Sequence, residues 1–215
     1  RDLLLCLRRQ RQMCIRDIID TLCEVLDFES SDGIITGLRT TAGPVTGGQY
    51  CITSGAWSSE LLKQVTAIPT GIVPIRGQMI LFEASKSLIH HILSEGSRYL
   101  VPRADGKVLA GSCEEEVGFQ KGTTPEILNQ LEDFAYSLVP ALKEHEITMS
   151  WSGLRPGSFD GMPYIGKIPN IDNLFMASGH FRSGIHLSTG TAVLMADLLE
   201  GKDSEISVEH FGIIR

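Results

Sequence analysis

The sequence predicts a mixed α/β fold, and three observations support this prediction. First, 42% of the 215 residues are hydrophobic and 21% are charged, a balance that allows a sizeable core. Second, apolar patterns typical of strands and of helices alternate along the chain. Third, the segments "CITSGAWSSELL" (51–62) and "LFMASGHFRSGIHLSTGTAVLMADLL" (174–199) each pass from an apolar strand through glycines into a helix. Such junctions are typical of α/β proteins.

The elements up to residue 84 are predicted as a helix, several short strands, a second helix and a long strand. Helical spacing of apolar residues predicts the first helix, over 18–26. Glycine turns divide 34–54 into short strands, and Ser58 or Ser59 is a candidate cap for a helix that ends near Lys63. The apolar run over 72–84 predicts the long strand.

A hairpin is predicted over "RYLVPRADGKVLAGS" (98–112), with its turn at Asp105-Gly106, because this pair accepts a positive φ. A strand is then expected over 147–153. A further apolar strand, 173–178, leads into a last helix with Ser188 as its candidate cap and Gly201 as its stop.

Between them, "TTPEILNQLEDFAYSLV" (123–139) predicts an amphipathic helix that Pro140 limits. The sequence allows two alternative N-caps for this helix: a Thr123–Glu126 capping box, or Thr124 as the cap with Pro125 at the first helical position. The residues expected on its buried face are Ile127, Leu131, Phe134 and Leu138.

Charge and cysteine content exclude several classes of protein. The net charge is −7, which argues against nucleic acid or an anionic membrane as partner. No apolar run approaches the roughly 20 residues that span a bilayer. The five cysteines form no CxxC pair and no metal-binding spacing, so we expect a reduced, cytoplasmic setting and no metal site.

The first segment, 1–17, is atypical. It begins with Arg and mixes an apolar run with a basic cluster, without the charge order of a secretory signal. An amphipathic targeting helix and a truncated or mis-joined reading frame are both open, and we assign no function to these residues.

Two motifs bear on function. In "WSGLRPGSFDGMPYIG" (151–166), Arg155 stands between a predicted strand and a turn rich in glycine and proline. A guanidinium is costly to bury without a partner, so Arg155 is either a surface arginine or a clamp for a carboxylate. In "GHFRSG" (179–184), two glycines bracket four larger side chains before a helix. The helix N-terminus there suits an electron-rich ligand, although an ordinary α/β turn is the alternative.

With "SGAWSSELL" and "YLVPRADGKVLAGSCEE" preceding them in order, these motifs resemble the glycine oxidase branch of the D-amino-acid oxidase family, from about Gly37 to the end. The resemblance implies FAD as cofactor. It also implies a nucleotide-binding α/β domain (18–66 and 170–215) interleaved with an antiparallel-sheet substrate domain (67–169). The family's N-terminal βαβ unit carries G-x-G-x-x-G, which is not found in this sequence. We therefore expect an incomplete FAD-binding domain, from a longer enzyme.

The resemblance also implies roles for single residues. Arg155 would bind the substrate carboxylate, Tyr99 would add its hydroxyl, and Arg182 would line the amino side. For Tyr99 and Arg182, packing on the sheet and pairing with a nearby acid are the respective alternatives. No side chain is expected to act as acid or base. The expected FAD contacts are Gly55, Trp57, Gly179, His180, Arg182, Ser183, Gly184, Ile185, His186 and Leu187.

Two positions depart from the family's pattern: Ser97 stands where the family has histidine, and Glu114 where it has a pocket methionine. Glu114 either approaches the substrate, favouring one with a second amine, or belongs to a solvated acidic loop.

The function that the resemblance implies is FAD-dependent oxidation of glycine or a small amino or N-methyl amino acid to the imine and then the 2-oxo acid. Hydrogen peroxide would form if oxygen is the acceptor, and thiamine thiazole synthesis is the implied pathway. A dehydrogenase that passes electrons to a quinone or partner protein, and a non-catalytic fragment, are alternatives. The partner expected is a small amino acid; a homo-oligomer stays open.

Overall fold

The computed structural model describes residues 18–84 and 88–215. They form three α-helices, α1 (Ser58–Leu62), α2 (Pro125–Leu138) and α3 (Gly184–Glu200), and two 3-10 helices, Gly55–Trp57 and Pro140–Glu144. The strands are β1 (Val25–Ser31), β2 (Ile34–Thr40), β3 (Gly43–Val45), β4 (Tyr50–Ile52), β5 (Val73–Phe82), β6 (Leu93–Glu95), β7 (Arg98–Pro102), β8 (Val108–Gly111), β9 (Ile147–Gly157), β10 (Tyr164–Lys167) and β11 (Leu174–Ser178). The predicted α/β class is confirmed. The atypical segment 1–17 lies outside the described residues.

An antiparallel five-stranded sheet, in the order β6-β7-β8-β5-β9, forms the larger layer. Its longest pairing joins β5 to β9 in a register that runs from Val73 opposite Gly157 to Phe82 opposite Ile147. The predicted hairpin is confirmed: β7 pairs with β8, and Gly106 takes a φ of 89° in the turn. One face packs on α2, where Ile80 and Leu100 join the cluster formed with Leu131. Since side chains alternate along a strand, the residues between them point to the other face.

A second sheet, in the order β10-β11-β4, contains the parallel pair β11–β4. Leu174 and Met176 pack on one side of it with Leu62 of α1, and Phe175 packs on the other side with Leu194 of α3. β10 pairs with β11, although residues 164–167 fall at the end of the range expected for the substrate domain. β1, β2 and β3 form a separate antiparallel meander.

The predicted helix over 18–26 is wrong. Residues 25–31 form strand β1, which pairs with β2, and residues 18–24 form no helix. Ile18 is 83% exposed and Leu22 is 99% exposed, so the apolar stripe has nothing to pack against in the described structure. A short helix without a packed face is unstable, whereas β1 gains backbone hydrogen bonds from β2.

The predicted caps at Ser58, Ser59 and Ser188 are also wrong, since all three residues lie inside helices. The hydroxyl of Ser58 donates to Ser178 Oγ at 2.9 Å, and that of Ser59 donates to the carbonyl of Ile72 at 3.1 Å. Partners on neighbouring elements have therefore replaced the capping bonds. Helix α3 begins one turn before Ser188 and ends at Gly201, whose φ of 66° confirms the predicted stop.

For α2, Thr124 stands at the N-cap position with Pro125 following, as one alternative predicted; its side chain makes no cap hydrogen bond. Instead, Thr124 N donates to Gln78 Oε1 at 2.7 Å. Leu131 and Phe134 are buried as expected, but Leu138 is 37% exposed because the helix ends there, at the turn before Pro140.

Candidate functional site

Arg155 lies within β9, opposite Ile75, rather than in a turn after the strand. Its guanidinium donates from Nη1 to the carbonyl of Cys113 at 3.1 Å and from Nη2 to Ser112 Oγ at 2.6 Å. The guanidinium lies over Gly77 of β5, where a Cβ atom would collide with it. The missing side chain at Gly77 thus lets a planar cation lie flat on the sheet.

The sheet remains open beside this guanidinium. Gly153 pairs with Gly77, and a Cβ at Gly153 would meet nothing within 4 Å. A cavity of about 200 Å³ is bounded here by Gly77, Gly153 and Arg155 together with Met79, Trp151 and Leu154. Among the described residues, the bonds of Arg155 use two of the five N–H donors of a guanidinium, which leaves donors that can serve a ligand.

Tyr99 and Arg182 meet at β7, which is separated from β5 by β8. Tyr99 lies opposite Gly111 of β8, and its ring comes within 3.3 Å of where a Cβ at Gly111 would stand. The Arg182 guanidinium lies 5.8 Å from the centre of the Tyr99 ring. It donates from Nη1 to Glu114 Oε1 at 2.9 Å and from Nη2 to the carbonyl of Ser97 at 3.3 Å.

Arg182 therefore pairs with an acid, as its structural alternative predicted. Of the two positions that depart from the family's pattern, Glu114 contacts Arg182 through its side chain, whereas Ser97 contacts it through the backbone carbonyl that any residue would supply. Glu114 is an ion-paired side chain, 41% exposed, rather than an isolated charge in the pocket.

The segment 112–115 connects the two arginines. Arg155 bonds to Ser112 and Cys113, and Arg182 bonds to Glu114. The three residues predicted to bind substrate come from different elements: Tyr99 from β7, Arg155 from β9 and Arg182 from the loop before α3. Both arginines bond to the segment 112–115, and Arg182 also contacts the Tyr99 ring.

Buried polar groups stabilise this segment. The pKa of Glu115 falls to about 2, chiefly because it accepts hydrogen bonds from the Arg76 guanidinium. The Cys113 thiol donates to Glu115 Oε2 at 3.0 Å, and burial, followed by this bond, raises its pKa to about 11. Glu115 is therefore ionised and Cys113 protonated at neutral pH.

The loop before α3 is held against β9. Phe181 N donates to the carbonyl of Pro156 at 2.9 Å, one residue beyond Arg155. Gly179 takes a φ of 84° and passes over the ring of Tyr164. His180 has Nε2 2.9 Å from Thr191 Oγ1, and burial lowers its pKa, which favours the neutral imidazole.

The expected FAD contacts fall at two junctions. The turn after β4 carries Gly55 and Trp57, and the turn after β11 leads into α3. Ser58 Oγ donates to Ser178 Oγ at 2.9 Å, which donates to the carbonyl of Gly55 at 3.0 Å. Because β4 and β11 are parallel neighbours, both junctions lie at the carboxyl end of the sheet, where α/β proteins bind ligands.

The two groups of expected contacts have different surroundings. A cavity of about 610 Å³ is lined by His180, Arg182, Ser183, His186 and Leu187 among other residues. Gly184 to Leu187 form the first turn of α3, not a loop. Trp57 does not line this cavity; its ring lies 5.6 Å from that of Phe119, with Lys121 Nζ 4.9 Å from its centre.

Sequence reasoning missed the partners of Arg155. Ser112, Cys113, Gly77 and Gly153 were not singled out. The signal available in the sequence was a glycine on each of two predicted strands. Gly77 in "RGQM" stands two residues before Met79, and Gly153 in "SGLR" stands two residues before Arg155. Only the register of β5 against β9 shows that the glycines face each other.

No helix within the described residues is both long and apolar enough to cross a bilayer. In the same part of the chain, no three His, Cys, Asp or Glu side chains are grouped to hold a metal ion.

Comparison with known proteins gives one family. The profile of the FAD dependent oxidoreductases (DAO) matches residues 19–198. A glycine oxidase from Pseudomonas aeruginosa is 38% identical over 169 residues, which are 79% of this chain and 46% of that protein. The bifunctional protein ThiO/ThiG of a Nostoc species is 33% identical, with 87% of this chain and 30% of that protein covered.

The crystal structure of glycine oxidase from Geobacillus kaustophilus superposes with a TM-score of 0.83 at 32% identity, covering 90% of this chain and 52% of that one. The chain thus spans about half, or less, of the length of these relatives.

Proposed function

The chain belongs to the DAO family of FAD dependent oxidoreductases, and from this premise we propose that the protein oxidises the amine of glycine, or of a small amino or N-methyl amino acid. The product would be the imine, which water converts to the 2-oxo acid, with hydrogen peroxide formed when oxygen is the acceptor. The similarity to glycine oxidase and to ThiO/ThiG supports this substrate class and a place in thiamine synthesis. We further propose a cytoplasmic location, because the five cysteines form no CxxC pair.

The observation that carries the proposal is the placement of Arg155. Its guanidinium lies on an open sheet face and donates to two acceptors among the residues that the structure describes. A cavity of about 200 Å³ adjoins it. A guanidinium binds a carboxylate through two parallel hydrogen bonds, which fixes the orientation of a small amino acid as well as its position.

The residues present fit the isoalloxazine part of FAD. The amides of Gly184, Ile185 and His186 precede the first hydrogen-bonded turn of α3, so no carbonyl of their own helix faces them, and they suit an electron-rich ring edge. Ile185 is 79% exposed and Leu187 is 44% exposed, so apolar surface adjoins these amides. We propose that the loop from Gly179, the first turn of α3 and the turn at Gly55 hold the cofactor.

Bound FAD would supply the two-electron oxidation of the carbon that carries the amine. The chain's own residues bind and orient the substrate. Arg155 holds the carboxylate, the Tyr99 hydroxyl adds a donor to it, and Met79 and Trp151 form an apolar wall beside it. Arg182, neutralised by Glu114, borders the amino side. No acid or base side chain is required, because the amine would react in its neutral form.

Replacing Arg155 in the flavin-loaded full-length protein tests this function. Arg155→Ala leaves the substrate carboxylate unpaired, which costs about 2–5 kcal/mol in comparable buried pairs, so we expect kcat/KM for glycine to fall roughly 30-fold to several thousand-fold. Arg155→Lys keeps the charge but lacks the planar fork, so its kcat/KM for glycine should lie between those of Arg155→Ala and the unaltered protein. An amine without a carboxylate serves as control substrate, and equal losses on both substrates would contradict the proposal.

A further inference from the structure

We propose that Glu115 and Arg76 are positioning residues for Arg155. They fix the segment 112–115, and the segment in turn fixes the guanidinium through Ser112 and Cys113. This inference rests on the proposed function, because it concerns how well Arg155 binds a carboxylate.

Arg76 and Glu115 are joined by both their side chains and their backbones. Arg76 Nε donates to Glu115 Oε2 at 3.1 Å and Nη2 donates to Oε1 at 2.8 Å. The two backbones exchange hydrogen bonds at 2.9 and 3.1 Å. The Arg76 side chain is 8% exposed and that of Glu115 is 21% exposed. A bidentate pair sheltered in this way holds one geometry far better than an exposed ion pair.

Two further donors complete the contacts of the Glu115 carboxylate. Gln78 Nε2 donates to Oε2 at 2.8 Å, and the Cys113 thiol donates to the same oxygen at 3.0 Å. Gln78 also bonds through its side chain to Thr124 at the start of α2, at 2.7 and 3.0 Å. The carboxylate is therefore anchored to β5, to its own segment and, through Gln78, to α2.

The segment 112–115 links the Arg76–Glu115 ion pair to Arg155 on the opposite face of the sheet. Arg76 and Gln78 flank Gly77 on β5, so their side chains point away from the face on which Gly77 lies under Arg155. Cys113 contacts both sides: its thiol bonds to Glu115, and its carbonyl accepts from Arg155 at 3.1 Å. Loss of the ion pair should release the two acceptors that orient the guanidinium.

The test uses Glu115→Gln in the flavin-loaded full-length protein, with Glu83→Gln as matched control. Glu83 pairs with Lys107 at the far end of β5 and has a 46% exposed side chain, so its loss should change nothing at Arg155. For Glu115→Gln we expect the Kd of acetate, read from the flavin absorption spectrum, and the KM for glycine each to rise about tenfold. The kcat/KM of a carboxylate-free amine should change less than twofold.

A double-mutant cycle separates positioning from general damage. If Glu115 acts through Arg155, Glu115→Gln should not weaken acetate binding further once Arg155 is Ala. Additive losses, or an equal loss on the carboxylate-free amine, would overturn the inference. If Arg155→Ala itself leaves acetate binding unchanged, the proposed function fails instead. Should Glu115→Gln not retain flavin, Arg76→Lys, which keeps the charge without the fork, is judged by the same criteria.

Discussion

At the scale of single residues, the position of the Arg155 guanidinium depends on two neighbouring glycines, which have no side chain. Gly77 provides the space that the guanidinium fills, and Gly153, opposite it, leaves the adjoining surface bare. The two glycines lie opposite each other on paired strands, and neither takes a positive φ. Gly77 is buried on the inner strand β5 and Gly153 is exposed on β9, so an added Cβ would collide with the guanidinium only at Gly77.

We predict that Gly77→Ala impairs substrate binding while the fold is retained. The new Cβ displaces the end of a flexible side chain rather than backbone, so unfolding free energy should change by no more than about 1 kcal/mol. The KM for glycine should rise by roughly tenfold or more, because the guanidinium leaves its two acceptors. Gly48→Ala is the control, because Gly48 lies in the exposed turn between β3 and β4, away from this cavity, and an added Cβ there would meet nothing within 4 Å. It should alter neither quantity, and a similar KM for both variants would contradict this account of Arg155.

The sequence predicted which residue would be the candidate clamp but not what surrounds it. Arg155 could be singled out from its motif, because a guanidinium among turn residues requires an explanation. Its acceptors Ser112 and Cys113 are more than 40 positions away, and only pairing in three dimensions brings them to it. The same holds for Arg182, whose acid partner lies 68 positions away.

At the scale of elements, α2 shows which side chains stabilise the larger sheet. Leu131 is 1% exposed and packs in the cluster with Ile80 and Leu100, whereas Leu138 at the helix end is 37% exposed. Both positions belong to the same apolar stripe of the sequence. The stripe alone could not distinguish them, since the helix ends where Val139 leaves helical geometry.

We predict that Leu131→Ala lowers the unfolding free energy by about 2–5 kcal/mol, as expected for a cavity in a packed core. Leu138→Ala removes the same atoms from a partly solvated site and should cost less than about 1 kcal/mol. Urea unfolding followed by circular dichroism measures both. Equal costs would mean that the last turn of α2 is as buried as its centre.

Strand–turn–helix junctions and the hairpin could be predicted because their signals are local: glycines, alternation and a turn dipeptide. The starts of α1 and α3 could not, although that of α2 was among the predicted alternatives. Ser58 had the chemistry of a cap, but its hydroxyl bonds to Ser178, 120 positions away. The stripe at 18–26 had helical spacing, but its side chains have no surface to pack against in the described structure.

At the scale of the whole molecule, two of the carboxylate–arginine pairs that join distant parts of the chain have a strongly lowered carboxyl pKa. Glu115 pairs with Arg76, and Asp160 pairs with Arg215. The pKa of each carboxyl is lowered to about 2, chiefly through hydrogen bonds from its arginine. The ordinary values are 4.5 for Glu and 3.8 for Asp.

We predict acid sensitivity from these pairs. Because folding lowers both pKa values, their stabilisation is complete above pH 4.5 and is lost as the pH falls towards 2. The urea midpoint should therefore decrease across this window. Glu115→Gln, which has no carboxyl to protonate, should show a smaller decrease than the unaltered protein; an unchanged slope would argue against the Arg76 pair as a source of stability.

Serine hydroxyls join the turn after β4 to the turn after β11, and the donor and acceptor in each of their hydrogen bonds are fixed. A carbonyl oxygen cannot donate, so Ser178 must give its single proton to Gly55, and Ser58 must then give its own to Ser178. Ser54, whose Oγ lies 3.2 Å from that of Ser58, is left as the donor to it. This chain of hydrogen bonds thus begins and ends in the turn after β4, and it passes through Ser178 at the end of β11. A change in the hydrogen bonds of one turn therefore requires a change in those of the other, which links the two turns at the place where we propose that the cofactor binds.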